Sequence, residues 1–204
     1  GVTSEILKEH SRDALYTNTL FEYSKNFDNY LGNSIELGRS FVQPKYWGSR
    51  ALDYLWQGIG AYLKSNPQIE YMFGPVSLSG SYPKVAKDMI LHFYDIYFPS
   101  NKKIVQARRA YHFDLSDEYM KVFLSELVGN DYRSDFKTLK KALSFLELSV
   151  PTLYKQYAEL CEEGGILFCD YNVDKDFSDC VDSFIIVEVA KIKEKQKKRY
   201  FGHE

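Results

Sequence analysis

Three observations predict an α/β fold for these 204 residues. Apolar periodicity alternates strand, helix, strand, helix between residues 35 and 98. Two further strand-like runs lie at 166–171 and 183–189. The breakers between them, among them Pro44, Asn66-Pro67, Pro83 and Gly164-Gly165, fall where such elements must stop.

Residues 5–30 are polar and aromatic, with only weak helical periodicity. Ile35 to Val42 alternates partly and reads as a strand, whose ladder Pro44 ends. From Ser49 to Leu63 the positions Ala51, Leu52, Leu55, Trp56, Ile59 and Leu63 recur at helical spacing, with Ser49 as N-cap. Glu70 to Leu78 reads as a second strand, interrupted at Gly74-Pro75. A helix then runs from Pro83 to about Phe98, with Val85, Met89, Ile90, Phe93 and Ile96 on one side. Strand–helix–strand order favours parallel pairing. Residues 115–128 and 134–148 are two amphipathic helices of a helical insertion. Pro151 opens a helix that ends at Gly164-Gly165, and the last two strands follow, separated by an acidic turn. The basic run Lys191 to Arg199 reads as a solvated helix end. The chain thus divides into an N-terminal segment (1–34), a strand–helix core (35–97), the insertion (98–149) and a C-terminal pair of strands with a basic tail (150–204).

Composition removes several function classes. A net charge of −2 gives no basic field for nucleic acid. No apolar run approaches the roughly 20 residues that span a bilayer. The first residues carry no signal pattern, and Gly1 in place of Met suggests a cloning remnant. The cysteines, Cys161, Cys169 and Cys180, have no metal-ligand spacing and cannot all pair, which fits reduced thiols in a cytoplasmic setting. Asp170, Asp174, Asp176, Asp179 and Asp182 lack the spacing and the closing Glu of a calcium loop, so turn and capping roles are expected and no metal site. His92 and His112 read as packed or surface residues. The 17 Tyr and 14 Phe supply a packed core first and an apolar groove second.

One segment stands out: Glu36-Leu-Gly-Arg39-Ser-Phe-Val. Strand positions three apart fall on opposite faces, so Glu36 and Arg39 can meet only across a kink, which Gly38 is placed to supply. With Pro44 and Tyr46 behind it, the segment resembles the fourth strand and following helix of the GCN5-related (GNAT) N-acyltransferase superfamily. It is most similar to the fatty-acyl branch, the ornithine-lipid synthases. Acyl-homoserine-lactone synthases share a Glu-x-x-Arg-Phe strand, and proteins labelled as hemolysins share the block. Leu55-Trp56-x-Gly58-Ile-Gly60-x-Tyr62, Phe73-Gly-Pro-Val-Ser77, Pro151-x-Leu-Tyr-Lys-x-Tyr157 and Asp174-x-Asp-Phe-x-x-x-x-Asp182 extend the likeness over about 30–97 and 150–190.

The resemblance implies a GNAT-like mixed sheet flanked by helices, and a long-chain, 3-hydroxy class of acyl group moved from a thioester to an amino-acid amine such as that of ornithine or glycine, in aminolipid biosynthesis. Glu36 would be the general base and Arg39 would orient it or hold the acceptor carboxylate. Backbone N–H groups near Gly38 or along Phe73-Gly74 would bind the oxyanion, with Gly74, Ser77 and Ser79 at the acceptor. Acetyl-CoA enzymes of this fold carry a glycine-rich loop where this chain has Gln43 to Arg50, and only Gly48 remains of its glycines. Acyl carrier protein, through its phosphopantetheine, is therefore the expected donor in preference to acyl-CoA, with Lys45, Gly48 and Arg50 meeting its phosphate or acidic surface. No bound cofactor is expected. The family's opening strand–helix–strand region, with its Arg-Tyr motif, has no counterpart in the first 35 residues, so the chain reads as a C-terminal part of a longer protein, whose isolated piece is expected to be weak or inactive. Expected partners are the carrier protein, the amino acid and, peripherally, the inner face of the membrane. The competing expectation is a non-catalytic lipid- or partner-binding domain of a hemolysin-like protein.

Overall fold

A computed structural model describes residues 2–46 and 48–202; Trp47, within the 43–50 stretch, and the last two residues of the tail lie outside the described residues. The sheet has four strands in the order β2 (Ser34–Glu36), β3 (Tyr71–Leu78), β6 (Cys180–Glu188) and β5 (Ile166–Asp174). β2 and β3 run parallel through three residue pairs, Ser34 to Glu36 against Tyr71 to Phe73. β3–β6 and β6–β5 are antiparallel, and a bulge between Phe168 and Asp170 sets Cys169 out of register.

Strand alternation sorts the side chains to two faces. Ile35, Met72, Val76, Leu78, Ile185 and Val187 join one core cluster with α3 (Ala51–Ser65) and α4 (Lys84–Tyr97). The helices of the insertion, α5 (Glu118–Glu126) and α6 (Tyr132–Phe145), extend this cluster, as does α7 (Thr152–Ala158). Phe73, Phe184 and Ile186 point the other way, into a second cluster with Leu15, Phe21, Phe27 and Leu31 of the N-terminal segment. Phe27 stands edge-on to Phe73 and Phe184 at 5.0 and 5.6 Å between ring centroids, the arrangement aromatic quadrupoles favour. The N-terminal segment forms α1 (Thr3–Glu9), β1 (Phe21–Tyr23) and α2 (Asp28–Leu31), with two 3-10 turns before β1 and one after it. β1 pairs antiparallel with β4 (Val105–Ala107) in a separate two-stranded sheet.

Mixed α/β architecture, parallel pairing of β2 with β3 and most element positions agree with the sequence. Several details differ. The first core strand stops at Glu36 instead of Val42, because Arg39 turns the chain with a φ of 56°. The left-handed turn thus falls on Arg39, beside Gly38. β3 runs unbroken through Gly74-Pro75, since β2 has left that side of it and Pro75 forfeits no ladder bond there. The helix after Pro151 ends at Ala158. Ser49 precedes the N-cap residue Arg50, yet its hydroxyl still accepts the Ala51 N–H at 3.2 Å.

The basic tail is also more than a solvated end. α8 (Glu194–Tyr200) packs on α3, where Tyr200 stacks on Trp56 at 5.6 Å and Arg199 pairs with Asp53 at 2.7 Å. Gly60 permits this contact, because a Cβ there would lie 2.3 Å from the Tyr200 carbonyl oxygen. Tyr200→Ala empties a buried ring site and is expected to lower stability by about 3 kcal/mol, read from urea unfolding. Arg199→Ala, which removes a half-exposed ion pair, is expected to change it by under about 1 kcal/mol.

Candidate active site

The site grows from the place where β2 parts from β3. Leu37 still donates its N–H to the Phe73 carbonyl at 2.7 Å. Its own carbonyl then lies flat on Gly74, so close that a Cβ there would sit 1.8 Å from the oxygen. Past this crossing no described strand covers the edge of β3 from Gly74 to Leu78 on that side.

Glu36, at the end of β2, faces the N-terminal segment and is 8% exposed. Its carboxylate accepts the Tyr16 N–H at 3.0 Å, the Thr17 N–H at 2.7 Å and the Thr17 hydroxyl at 2.7 Å. Three donors on one carboxylate fasten the Tyr16–Thr19 turn to the sheet. The Tyr16 ring packs over Gly38, where a Cβ would come within 2.8 Å of it. Arg39 closes the group with its guanidinium 4.5 Å from the centre of the same ring. Asp13, Tyr16, Thr19, Glu36, Gly38 and Arg39 line a cavity of about 400 Å³. Burial and the nearby charge of Asp182 push the Tyr16 hydroxyl above its usual range, against an opposing hydrogen bond with Arg39.

The sequence-derived residues fall into three groups. Glu36 and Arg39 share the cavity, and Gly74 touches its floor strand through Leu37. Ser77 lies further along β3 and donates to Asp182 at 2.5 Å, while Ser79 has left the strand and bonds Ser81 at 2.9 Å. Lys45, Gly48 and Arg50 lie apart on the exposed loop before α3. There Lys45 sits over the Tyr46 ring, Gly48 takes a positive φ of 73°, and Arg50 leans on Tyr54 and on Asp53 at 3.7 Å. Sequence reasoning missed Tyr16 and Thr17, for which no local signal exists. It read Asp182 as a turn residue, although a carboxylate within the apolar run of β6 was visible. Burial pushes the Cys161 and Cys169 thiols up to about 12, which leaves neither as a thiolate nucleophile near neutral pH.

Comparison with known proteins finds relatives over the same residues. The family model described as "Acetyltransferase (GNAT) domain" matches residues 3–57, the stretch that holds the Tyr16 turn, Glu36, Arg39 and the loop before α3. A glycine N(alpha)-acyltransferase of Phocaeicola vulgatus is 30% identical over 201 residues, 94% of this chain and 60% of that protein. One of Bacteroides thetaiotaomicron is 30% identical over 194 residues, 91% of this chain and 56% of that protein. An L-ornithine N(alpha)-acyltransferase of Brucella abortus is 45% identical over 49 residues, 24% of this chain and 17% of that protein. The chain therefore spans only about 60% of the length of the curated relatives it matches along most of its own. No solved structure matches it. The family match over residues 3–57 and the relatives' alignment along nearly the whole chain make this chain similar to GNAT acyltransferases, and its mixed sheet is consistent with that likeness.

Proposed function

We propose that this chain belongs to an N-acyltransferase that moves a long-chain, 3-hydroxylated class of fatty acyl group from acyl carrier protein to the amine of an amino acid, in aminolipid biosynthesis. The observation that carries this reading is the cavity beside Glu36 and Arg39, opened where β2 leaves β3. A thioester acyl group laid along the open β3 edge would find the outward backbone N–H of Ser77 there to hold its oxyanion, Pro75 having none. Arg39, exposed and planar, suits the acceptor's carboxylate. Glu36 spends three hydrogen bonds on the Tyr16–Thr17 turn, so in this reading it positions the cavity wall. Glycine is favoured over ornithine as acceptor, because the relatives named for glycine align along 94% and 91% of the chain against 24%.

Lys45 and Arg50, free of a glycine-rich cradle, suit the single phosphate and acidic surface of a carrier protein better than a nucleotide. Exposed Tyr46 and Tyr54 beside these cations, with exposed Phe41 before the loop and Tyr62 further along α3, suit a peripheral contact with the membrane that takes the product. No helix among the described residues is long and apolar enough to cross it.

The test is mass spectrometry of lipids from cells expressing the full-length protein. New N-acylated glycine or ornithine lipids are expected, and their loss on Arg39→Ala. Tight lipid binding with no acylated amino acid would instead make the domain a binding module.

A further inference from the structure

Resting on that functional reading, we propose that Asp182 is the group that receives the acceptor's ammonium ion and takes its proton, at the open edge of β3 beside Ser77. Among the described residues four carboxylates are buried: Glu36, Asp88, Asp135 and Asp182. Three are fully matched. Glu36 takes two N–H groups and a hydroxyl; Asp88 takes the Lys84 ammonium, the Tyr111 hydroxyl and the Asp114 N–H; Asp135 takes two N–H groups and the Tyr97 hydroxyl. Asp182, 2% exposed, takes one hydroxyl, from Ser77, on Oδ1. Among the described residues its Oδ2 accepts no hydrogen bond, and no Lys, Arg or His pairs with it. A carboxylate buried with so little compensation is unstable as an anion until a cation arrives.

Its position fits that cation to the reaction. Asp182 ends the row Asp182, Phe184, Ile186 on the face of β6 that carries Glu36 and Phe73, just where the aromatic packing stops. It lies one side chain below solvent, because its partner Ser77 is exposed on the edge strand. Tyr16 links it to the cavity, since that ring lines the cavity and its hydroxyl senses the Asp182 charge. The charged and titratable groups around Asp182 are Asp174 of β5, Tyr16 with Arg39 behind it, and Tyr154 of α7, whose hydroxyl bonds Ser183. Burial first, then Asp174, hold the Asp182 carboxyl up at about 6, against the Ser77 hydrogen bond. A base in that range accepts an ammonium proton and can return it.

The step balances. Asp182 takes one proton from the ammonium, and the neutral amine attacks the thioester carbonyl carbon. The C–N bond forms, the C–S bond breaks, and the departing thiolate regains a proton from Asp182 while the amide nitrogen sheds its second to solvent.

The experiment measures kcat/KM of acyl transfer against pH in the full-length protein, with glycine and with hydroxylamine, which is neutral near pH 7. The unaltered protein is expected to show an acidic limb near pH 6. Asp182→Asn is expected to lose that limb and about 100-fold or more of the glycine rate, but far less of the hydroxylamine rate. Removal of the buried charge is also expected to keep its Tm at or above that of the unaltered protein above pH 6. Ser77→Ala, an exposed change, is expected to move the limb upward, because the hydrogen bond it removes favours the anion. A retained limb with a glycine rate within threefold would overturn the assignment. So would equal losses with both nucleophiles, which mark a merely structural residue; were the Asn protein not to fold, an unmoved limb in Ser77→Ala would do the same. Absence of any transfer by the unaltered protein would refute the functional reading itself, and with it this assignment.

Discussion

Gly74→Ala is expected to destabilise the protein by about 3 kcal/mol or more and, under the proposed function, to abolish acyl transfer in the full-length protein. An added Cβ meets the backbone carbonyl of Leu37 at 1.8 Å, and backbone, unlike a flexible side chain, cannot swing aside. Overpacking alone is worth about 1–3 kcal/mol. Here the only relief is to push β2 off β3, and that junction is three residue pairs long. The loss of β2 also carries away Glu36 and the turn it holds. The measurements are urea unfolding and kcat/KM; an alanine protein as stable and active as its parent would show that the crossing is looser than described. Gly58→Ala is the control, because a Cβ at that exposed helical site meets nothing within 4 Å. It is expected to be neutral or stabilising by up to about 1 kcal/mol.

Glu36→Gln is the second large effect, and it separates two roles for one side chain. Glutamine keeps a single acceptor oxygen and turns an amide NH₂ towards groups that all donate. At least one of the Tyr16 and Thr17 N–H groups then loses its partner, at about 1–3 kcal/mol for a buried donor. Stability is expected to fall by that amount and activity with it, as the Tyr16–Thr19 turn loosens from the cavity wall. If Glu36 positions the wall, the acidic limb of the pH–rate profile survives in the glutamine protein. If Glu36 is the base, the limb disappears. Thr17→Val removes the hydroxyl donor alone and is expected to reproduce a smaller part of the same stability loss.

Much of the sheet was legible, because β3, β5 and β6 are long and carry apolar residues to both faces. The helices α3, α4 and α6 were legible through their period. β1 and β4 were not, since three-residue strands carry too little pattern and their pairing joins Phe21 to Ala107 across the whole strand–helix core. α8 was misread for a different reason: a basic run looks solvated, while the contact that docks it comes from Tyr200 and the bare backbone of Gly60. At the site, the Glu-x-x-Arg segment marked the strand end where the cavity lies. The direction of Glu36 was hidden, because its partners are backbone N–H groups of a turn some 20 residues earlier, and such partners leave no mark on residue type. Asp182 was overlooked for lying in an acidic run in which Asp176 and Asp179 are exposed and Asp170 and Asp174 half-buried.

The pairing of β1 with β4 has a consequence for synthesis on the ribosome. Phe21 leaves the exit tunnel well before Ala107, and its strand must wait for that partner while Phe184 and Ile186, which complete its hydrophobic neighbourhood, are made later still. Closure across such a separation is slow relative to helix formation. The Tyr16 turn rests on this late cluster, so the cavity face is expected to mature after the helical face. During that interval Phe21, Phe27 and Leu31 are exposed to chaperones and proteases, and a pause late in translation would lengthen the exposure.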